Sequence, residues 1–283
     1  MKKVSIRVFV FLLFLSKPVS ADVPHSFKWK KSDLVISASA PPVLIYVENS
    51  QKQHAGADPS LQVNSDGTQG NGVDSGLTEI PLSHIWQQND STFENGDYTN
   101  NSFTQWNINI YDAAPQTYTI NIKGISDEIA EINATGLYRG RGNKATETKF
   151  NVLISTGQIR QVSLFFDSNS KTISNNPIVG NSDLLSDIKT ACNLGQIASS
   201  KVCERLTKKA EEIQDALEKH YYDQARKLLR SFLCNLGEFK GDGDDDKDCH
   251  ASINPTTLTI LIQDAKALLM SLPDSDHHDH DDK

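Results

Sequence analysis

Hydrophobic and polar residues follow two different periods along this chain, and the change between them divides it. From about Lys31 to Ser174, short β-prone runs are separated by Thr, Asn, Ser and Gly, a pattern that predicts an all-β domain. Val43–Val47 is one run. Trp106–Tyr111 and Tyr118–Ile122 alternate apolar and polar residues, and Phe150–Ile154 does so less cleanly. Alternation puts Trp106, Ile108 and Ile110 on one face. Ile129–Tyr138 and Ile159–Phe166 add two more runs. Six to eight strands are expected within roughly 140 residues, and an antiparallel two-sheet sandwich accommodates them best.

After Asn175–Ser182 the alternation stops. Val202, Leu206, Ala210, Ile213 and Leu217 form a stripe at helical spacing on a helix starting near Ser199 or Ser200. Ala225, Leu229, Phe232 and Leu236 form a second stripe. A third, Leu258, Ile262, Ala265 and Leu269, follows Asn254-Pro255, an N-cap with proline at the first helical position. A shorter helix around Leu184, Leu185, Ile188 and Cys192 completes four, each with one apolar face, so a small bundle is the economical packing. The expected fold class is therefore α+β in two domains, an antiparallel β-sandwich over 31–175 followed by a small disulfide-linked helical bundle over 183–272. The period change predicts that the two fold independently.

The amino terminus changes the chemical context. A basic Met1-Lys-Lys start, an apolar run Val8–Leu15 and small residues Val19-Ser-Ala21 read as a signal peptide over 1–21, because the run is too short to span a bilayer of ~30 Å. Removing it takes the basic residues from 28 to 24 against 36 acids, so the net charge moves from −8 to −12. That balance disfavours nucleic acids and anionic lipid surfaces, whose phosphates need excess Lys and Arg. The expected product is secreted or periplasmic, without a transmembrane segment after cleavage.

Export gives the four cysteines a disulfide reading. Cys192, Cys203, Cys234 and Cys249 allow three pairings, and no Cys-x-x-Cys pair suggests zinc or redox chemistry. An antiparallel helix hairpin would set Cys192, ending the first helix, beside Cys203 in the first turn of the second. Cys234, late in the third helix, and Cys249, just before the fourth, would close the other inter-helix connection.

The run Gly195–Leu206, then Ala216–Ala225, Leu229–Phe232 and Leu261–Leu268, resembles the FIMAH-type helical domain appended to bacterial secreted and surface proteins. The resemblance covers about 183–272, and the four cysteines and an acidic insertion before the last helix depart from it. It implies a noncatalytic accessory module with no ligand residues to carry across. Val43–Val47, Gln53–Pro59, Glu79–Pro81 and Gln116–Gly124 resemble, more weakly, the β-sandwich of prepeptidase C-terminal-like domains, which is auxiliary as well.

Candidate chemistry is sparse. No nucleophile elbow, His-Glu-x-x-His pair, phosphate-binding loop or dinucleotide fingerprint occurs. Asp58, Asn64, Asp66 and Asp74 lie in a glycine-rich stretch as calcium-ligand types, though Asp and Asn also dominate turns. Asp242, Asp244, Asp246 and Asp248 alternate like a calcium loop, yet the twelfth position that should hold a bidentate glutamate is Ile253. His277, His278 and His280 in an acidic tail over 273–283 are imidazole ligand types. No cofactor is required, and weak Ca²⁺ or Zn²⁺ binding is the most these segments offer. The reading that follows is an exported, noncatalytic accessory or binding protein that engages a cell-surface, polysaccharide or protein partner, with Trp29, Trp86 and Trp106 as stacking candidates. The alternatives are a secreted hydrolase with an unrecognised site and a metal-binding protein using the acidic loop and tail.

Overall fold

Strand alternation and helix stripes both find their partners in the tertiary structure. The computed structural model describes residues 32–39, 43–58, 76–94, 97–138, 144–237 and 252–273. Eleven strands lie among them: β1 (Asp33–Ser39), β2 (Val43–Glu48), β3 (His54–Ala57), β4 (Gly76–Thr78), β5 (Ser83–Glu94), β6 (Asp97–Ile110), β7 (Gln116–Gly124), β8 (Glu128–Tyr138), β9 (Lys144–Ile154), β10 (Ile159–Asp167) and β11 (Thr172–Ile178). They form two sheets, ordered β5-β6-β1-β8-β9 and β11-β10-β7-β2-β3-β4, with antiparallel pairing between neighbours. The expected sandwich is present with more strands than six to eight. The extra ones are β1, the short β3 and β4, β5 and the edge strand β11. β1 alternates Leu34, Ile36 and Ala38 into the core, whereas β3 and β4 are short and β11 is largely polar, so pairing rather than hydrophobicity makes those strands.

The predicted face is formed: Trp106, Ile108 and Ile110 all point into the core beside Ile36, Ile120, Ile122, Ile132 and Phe166. Trp106 is thus a core residue and not a stacking platform. Trp29 and the side chain of Trp86 lie outside the described residues.

The helices α1 (Asp183–Asn193), α2 (Ser200–Glu218), α3 (Tyr222–Asn235) and α4 (Pro255–Ser271) match the four stripes. Ser199 caps α2 by accepting from the Val202 amide, and Asn254 caps α4 by accepting from the Thr256 amide. Each helix packs on the next, and α4 returns to α1. The stripes meet in one core, where Ile188, Leu206, Ile213, Leu229, Phe232 and Leu261 are buried together. Cys192 and Cys203 are bonded across the α1–α2 turn, with Cα atoms 5.9 Å apart. Cys234 is half-buried at the end of α3, and its expected partner Cys249 lies outside the described residues.

Sandwich and bundle share surface. The described residues belong to one compact unit, Lys31–Lys283, in which α1 and α4 pack on β9 and α4 also on β11. Leu153 of β9 belongs to the bundle core, and Ile129 and Val179 pack against it. Gly124 ends β7 where the β9–β10 turn closes over it: its amide donates to the Gln158 carbonyl at 3.0 Å, and a Cβ there would lie 2.3 Å from the Ser155 carbonyl oxygen. Only glycine fits that approach. Among the described residues, no helix is long and apolar enough to cross a membrane.

Candidate binding site at the free end of the sandwich

Strand direction gives the sandwich two unlike ends. At one, where β7 and β9 finish and β10 begins, α1 and α4 are seated. At the other, the turns β2–β3, β4–β5 and β6–β7 stand together around a shared cleft that no helix lines.

Each turn is fixed by its own set of hydrogen bonds. Asn49 organises the first. Its carboxamide oxygen accepts from the Gln51 and Gln53 amides at 2.9 and 3.0 Å, and its nitrogen donates to the Gln53 side chain at 2.8 Å. The second turn is anchored by buried Ile80, whose carbonyl accepts from the Ser83 amide. The third is held by Ala113, whose amide donates to the Ser32 carbonyl at 2.8 Å, and by Asp112, whose amide donates to the Asp33 carboxylate at 3.2 Å. Cross-ties join them. The Tyr111 amide donates to the Leu82 carbonyl at 3.1 Å, and the Ser50 hydroxyl donates to the Gln116 side-chain oxygen.

Every one of these turns contains a non-glycine residue in the left-handed region: Lys52 at φ 62°, Leu82 at φ 59° and Asp112 at φ 55°. Aspartate tolerates that conformation; a branched leucine does so at a cost of about 1–2 kcal/mol. Leu82 is also 63% exposed, and Tyr111 beside it is 37% exposed. Between the turns lies a cleft of about 220 Å³ lined by Asn49, Gln51, Gln53, Pro81, Tyr111 and Gln116. Ile80, Ile110 and Asp112 also line it, so amides and an aromatic ring that exchange hydrogen bonds with polar groups and stack an apolar face stand beside one carboxylate.

Close to the first two turns, His54 on β3 stands between two carboxylates, its Nε2 at 3.1 Å from Glu48 and its Nδ1 at 3.1 Å from Glu79. A hydrogen bond from Lys52, opposed by burial and supported by a further hydrogen bond from His54, holds the Glu48 carboxyl below its ordinary value. This His–Glu set ties β2, β3 and the β4–β5 turn together.

The other ionisable cluster is buried at the helical end. Arg160 of β10 is 2% exposed and meets three aspartates: Nη1 lies 3.1 Å from Asp183 and 3.3 Å from Asp187 of α1, and Nη2 lies 3.0 Å from Asp264 of α4. Burial would lower the Arg160 pKa, but the three carboxylates outweigh it and raise it. Glu128 at the start of β8 is 5% exposed, and burial pushes its carboxyl up to about 7 despite a hydrogen bond from the Ser126 hydroxyl. Neither feature was visible in the sequence, because the first joins residues far apart along the chain and the second owes its state to burial alone.

The metal-ligand candidates Asp242, Asp244, Asp246, Asp248, His277, His278 and His280, and likewise Asn64, Asp66 and Asp74, lie outside the described residues. Asp58 directly follows β3. Among the described residues, no group of three His, Cys, Asp or Glu side chains is arranged to hold a metal ion. Elsewhere among the described residues a cleft of about 280 Å³ lies between β9 and the start of α4, and a groove of about 510 Å³ lies beside the disulfide on α1 and α2. The groove carries Lys189 and Glu211, 3.7 Å apart, so these charges offset one another.

No protein-family model matches the chain, and no curated protein or solved structure matches it either. The FIMAH-type and prepeptidase C-terminal-like resemblances stand on their quoted residues alone.

Proposed function

We propose that this is an exported, noncatalytic binding protein whose recognition site is the free end of its sandwich, with the helical bundle as an accessory unit of the FIMAH type. The observation that carries the reading is Leu82. An exposed apolar side chain on a left-handed backbone costs stability twice, once in strain and once in solvation. Such outliers concentrate where a surface is shaped for a ligand. Its neighbours supply an exposed tyrosine and a row of amides, a lining that suits a polysaccharide or another uncharged polar surface. The cleft is smaller than the ~300 Å³ of a drug-sized pocket, so it would take one ring or side chain of a longer partner.

The Cys192–Cys203 disulfide supports an oxidising compartment. A hydrolytic reading gains nothing from Glu128, the carboxyl whose raised value falls in the catalytic range. It is buried and lines none of the three clefts described.

The test is binding of the purified full chain to immobilised cell-envelope polysaccharides and envelope proteins, compared with Tyr111→Ala and Leu82→Gly variants. Retention of the wild type and loss by both folded variants supports the reading. Equal retention of all three, or turnover of the offered polymer, overturns it.

A further inference from the structure

The junction between sandwich and bundle contains more carboxylates than its cation can neutralise. Arg160 supplies one positive charge, and Asp183, Asp187 and Asp264 would supply three negative ones if all were ionised. Arg160 is 2% exposed, Asp187 0% and Asp264 2%. Uncompensated charge in such surroundings is strongly disfavoured.

The three aspartates are not equivalent. Asp183 has its own compensation at the start of α1: its side chain is 20% exposed, and Oδ2 accepts from the Gly180 amide at 2.7 Å. Asp187 has nothing comparable. Neither of its buried oxygens accepts a hydrogen bond, and Oδ2 has only its 3.3 Å ion pair with Arg160; Asp264 Oδ2 likewise has only its ion pair with that guanidinium. Buried acceptors left this way are rare. One proton placed on either carboxyl converts the facing acceptors into an O–H···O hydrogen bond and removes one negative charge from the cluster.

We propose that the junction is a proton-held latch in which Asp187 and Asp264 share one proton beneath the Arg160 guanidinium, and that rising pH loosens α1 and α4 from the sandwich. The energetic direction agrees. Burial, and then the repulsion and hydrogen bonding of Asp264, push the Asp187 carboxyl well above the usual carboxylate range, and Arg160 pulls it only partly back. The charged groups in ion pairs with the guanidinium come from α1 (Asp183, Asp187) and from α4 (Asp264); β7 opposes it with the apolar Ile122. The folded chain therefore holds a proton that the unfolded chain, with aspartates titrating near ~4, has released. Stability at the junction is fully present below that ordinary value. It falls as pH rises, until the raised value of Asp187 is passed.

The experiment uses the full chain carrying Glu128→Gln as its reference, the wild type of the comparison, so that the raised Glu128 carboxyl contributes neither band nor pH dependence, and adds Asp187→Asn, Asp187→Ala or Asp264→Asn to it. Asparagine keeps the donor that the shared proton provides and removes the titration; alanine removes both. Two readouts apply: the infrared carbonyl band of a protonated buried carboxyl near neutral pH, and amide hydrogen exchange in α1 and α4 at about pH 5 and about pH 9. In the wild type the band should be present. Exchange in α1 and α4, corrected for the intrinsic rate, should accelerate about tenfold or more between the two conditions. At least one asparagine variant should fold, lose the band and lose that acceleration. The latch is overturned if the wild type lacks the band, if its α1 and α4 exchange is independent of pH, or if both asparagine variants are as disrupted at about pH 5 as Asp187→Ala.

Discussion

The two ends of the sandwich solve the same problem, closing the gap between two sheets, with opposite materials. At the helical end the closure is dry. Arg160 and two of its aspartates are out of solvent, Gly124 admits the β9–β10 turn without a side chain, and the Ser155 and Thr190 hydroxyls meet across the boundary. At the free end the closure is wet. The β2–β3 turn is held by the side-chain amides of Asn49 and Gln53, and the pairing of Lys52 with Glu48 is exposed on the lysine side. The comparison teaches where charge matters. A pair screened by water contributes at most about 1 kcal/mol, whereas removing one partner of a buried network leaves the other charges stranded. Stability should therefore be concentrated at the helical end, leaving the free end able to carry the strained Leu82 backbone.

The largest effect tests that asymmetry directly. Arg160→Met strands the buried carboxylates and should cost about 3–5 kcal/mol in urea unfolding, while Lys52→Met at the other end should change stability by less than about 1 kcal/mol. Similar losses for both would erase the distinction between the ends. Next comes the covalent tie. Replacing Cys192 and Cys203 together by serine opens a closure with a sequence separation of 11 and should lower unfolding free energy by about 2–4 kcal/mol. If thermal unfolding of the double variant matches the wild type, the α1–α2 turn is held by packing alone.

A smaller effect sharpens the electrostatic side. Glu128 has its carboxyl raised to about 7, so the folded state holds the proton longer than the unfolded chain does. Stability from this group is complete below the ordinary glutamate value near ~4.3 and is lost as pH climbs to about 7. Glu128→Gln should flatten the stability profile across that interval by on the order of 2 kcal/mol, after discounting for residual hydration. An unchanged slope would show that the carboxyl reaches water. The smallest effect has the opposite sign. Leu82→Gly relieves a left-handed leucine and should raise stability by up to about 1 kcal/mol, measured by thermal unfolding; a clear loss would mean that the Leu82 side chain supports the fold.

How much of this was legible in the sequence depends on how local each determinant is. The four helices were, because their stripes, the Ser199 cap and the Asn254-Pro255 start act within a few residues. The central strands were as well, since alternation around Ile108, Ile120 and Ile132 states which face is buried. Cys192 and Cys203 could be paired because a helix hairpin leaves few alternatives. β3, β4 and β11 were not legible, since a short or polar strand is defined by the neighbour it bonds and not by its own apolar content. Nor was the site: Gln51, Leu82 and Tyr111 belong to three turns that only the sheet order brings together. Arg160 shows the limit most clearly. In sequence it is a charged residue in phase with Val162, Leu164 and Phe166, on the face that alternation turns inward. Only the seating of α1 and α4 against that end of the sandwich supplies the three aspartates that let a guanidinium remain buried and charged. Local spacing determines which elements form; long-range packing determines which charges must share a space, because the cost of burying them is set by neighbours that the chain brings in from elsewhere.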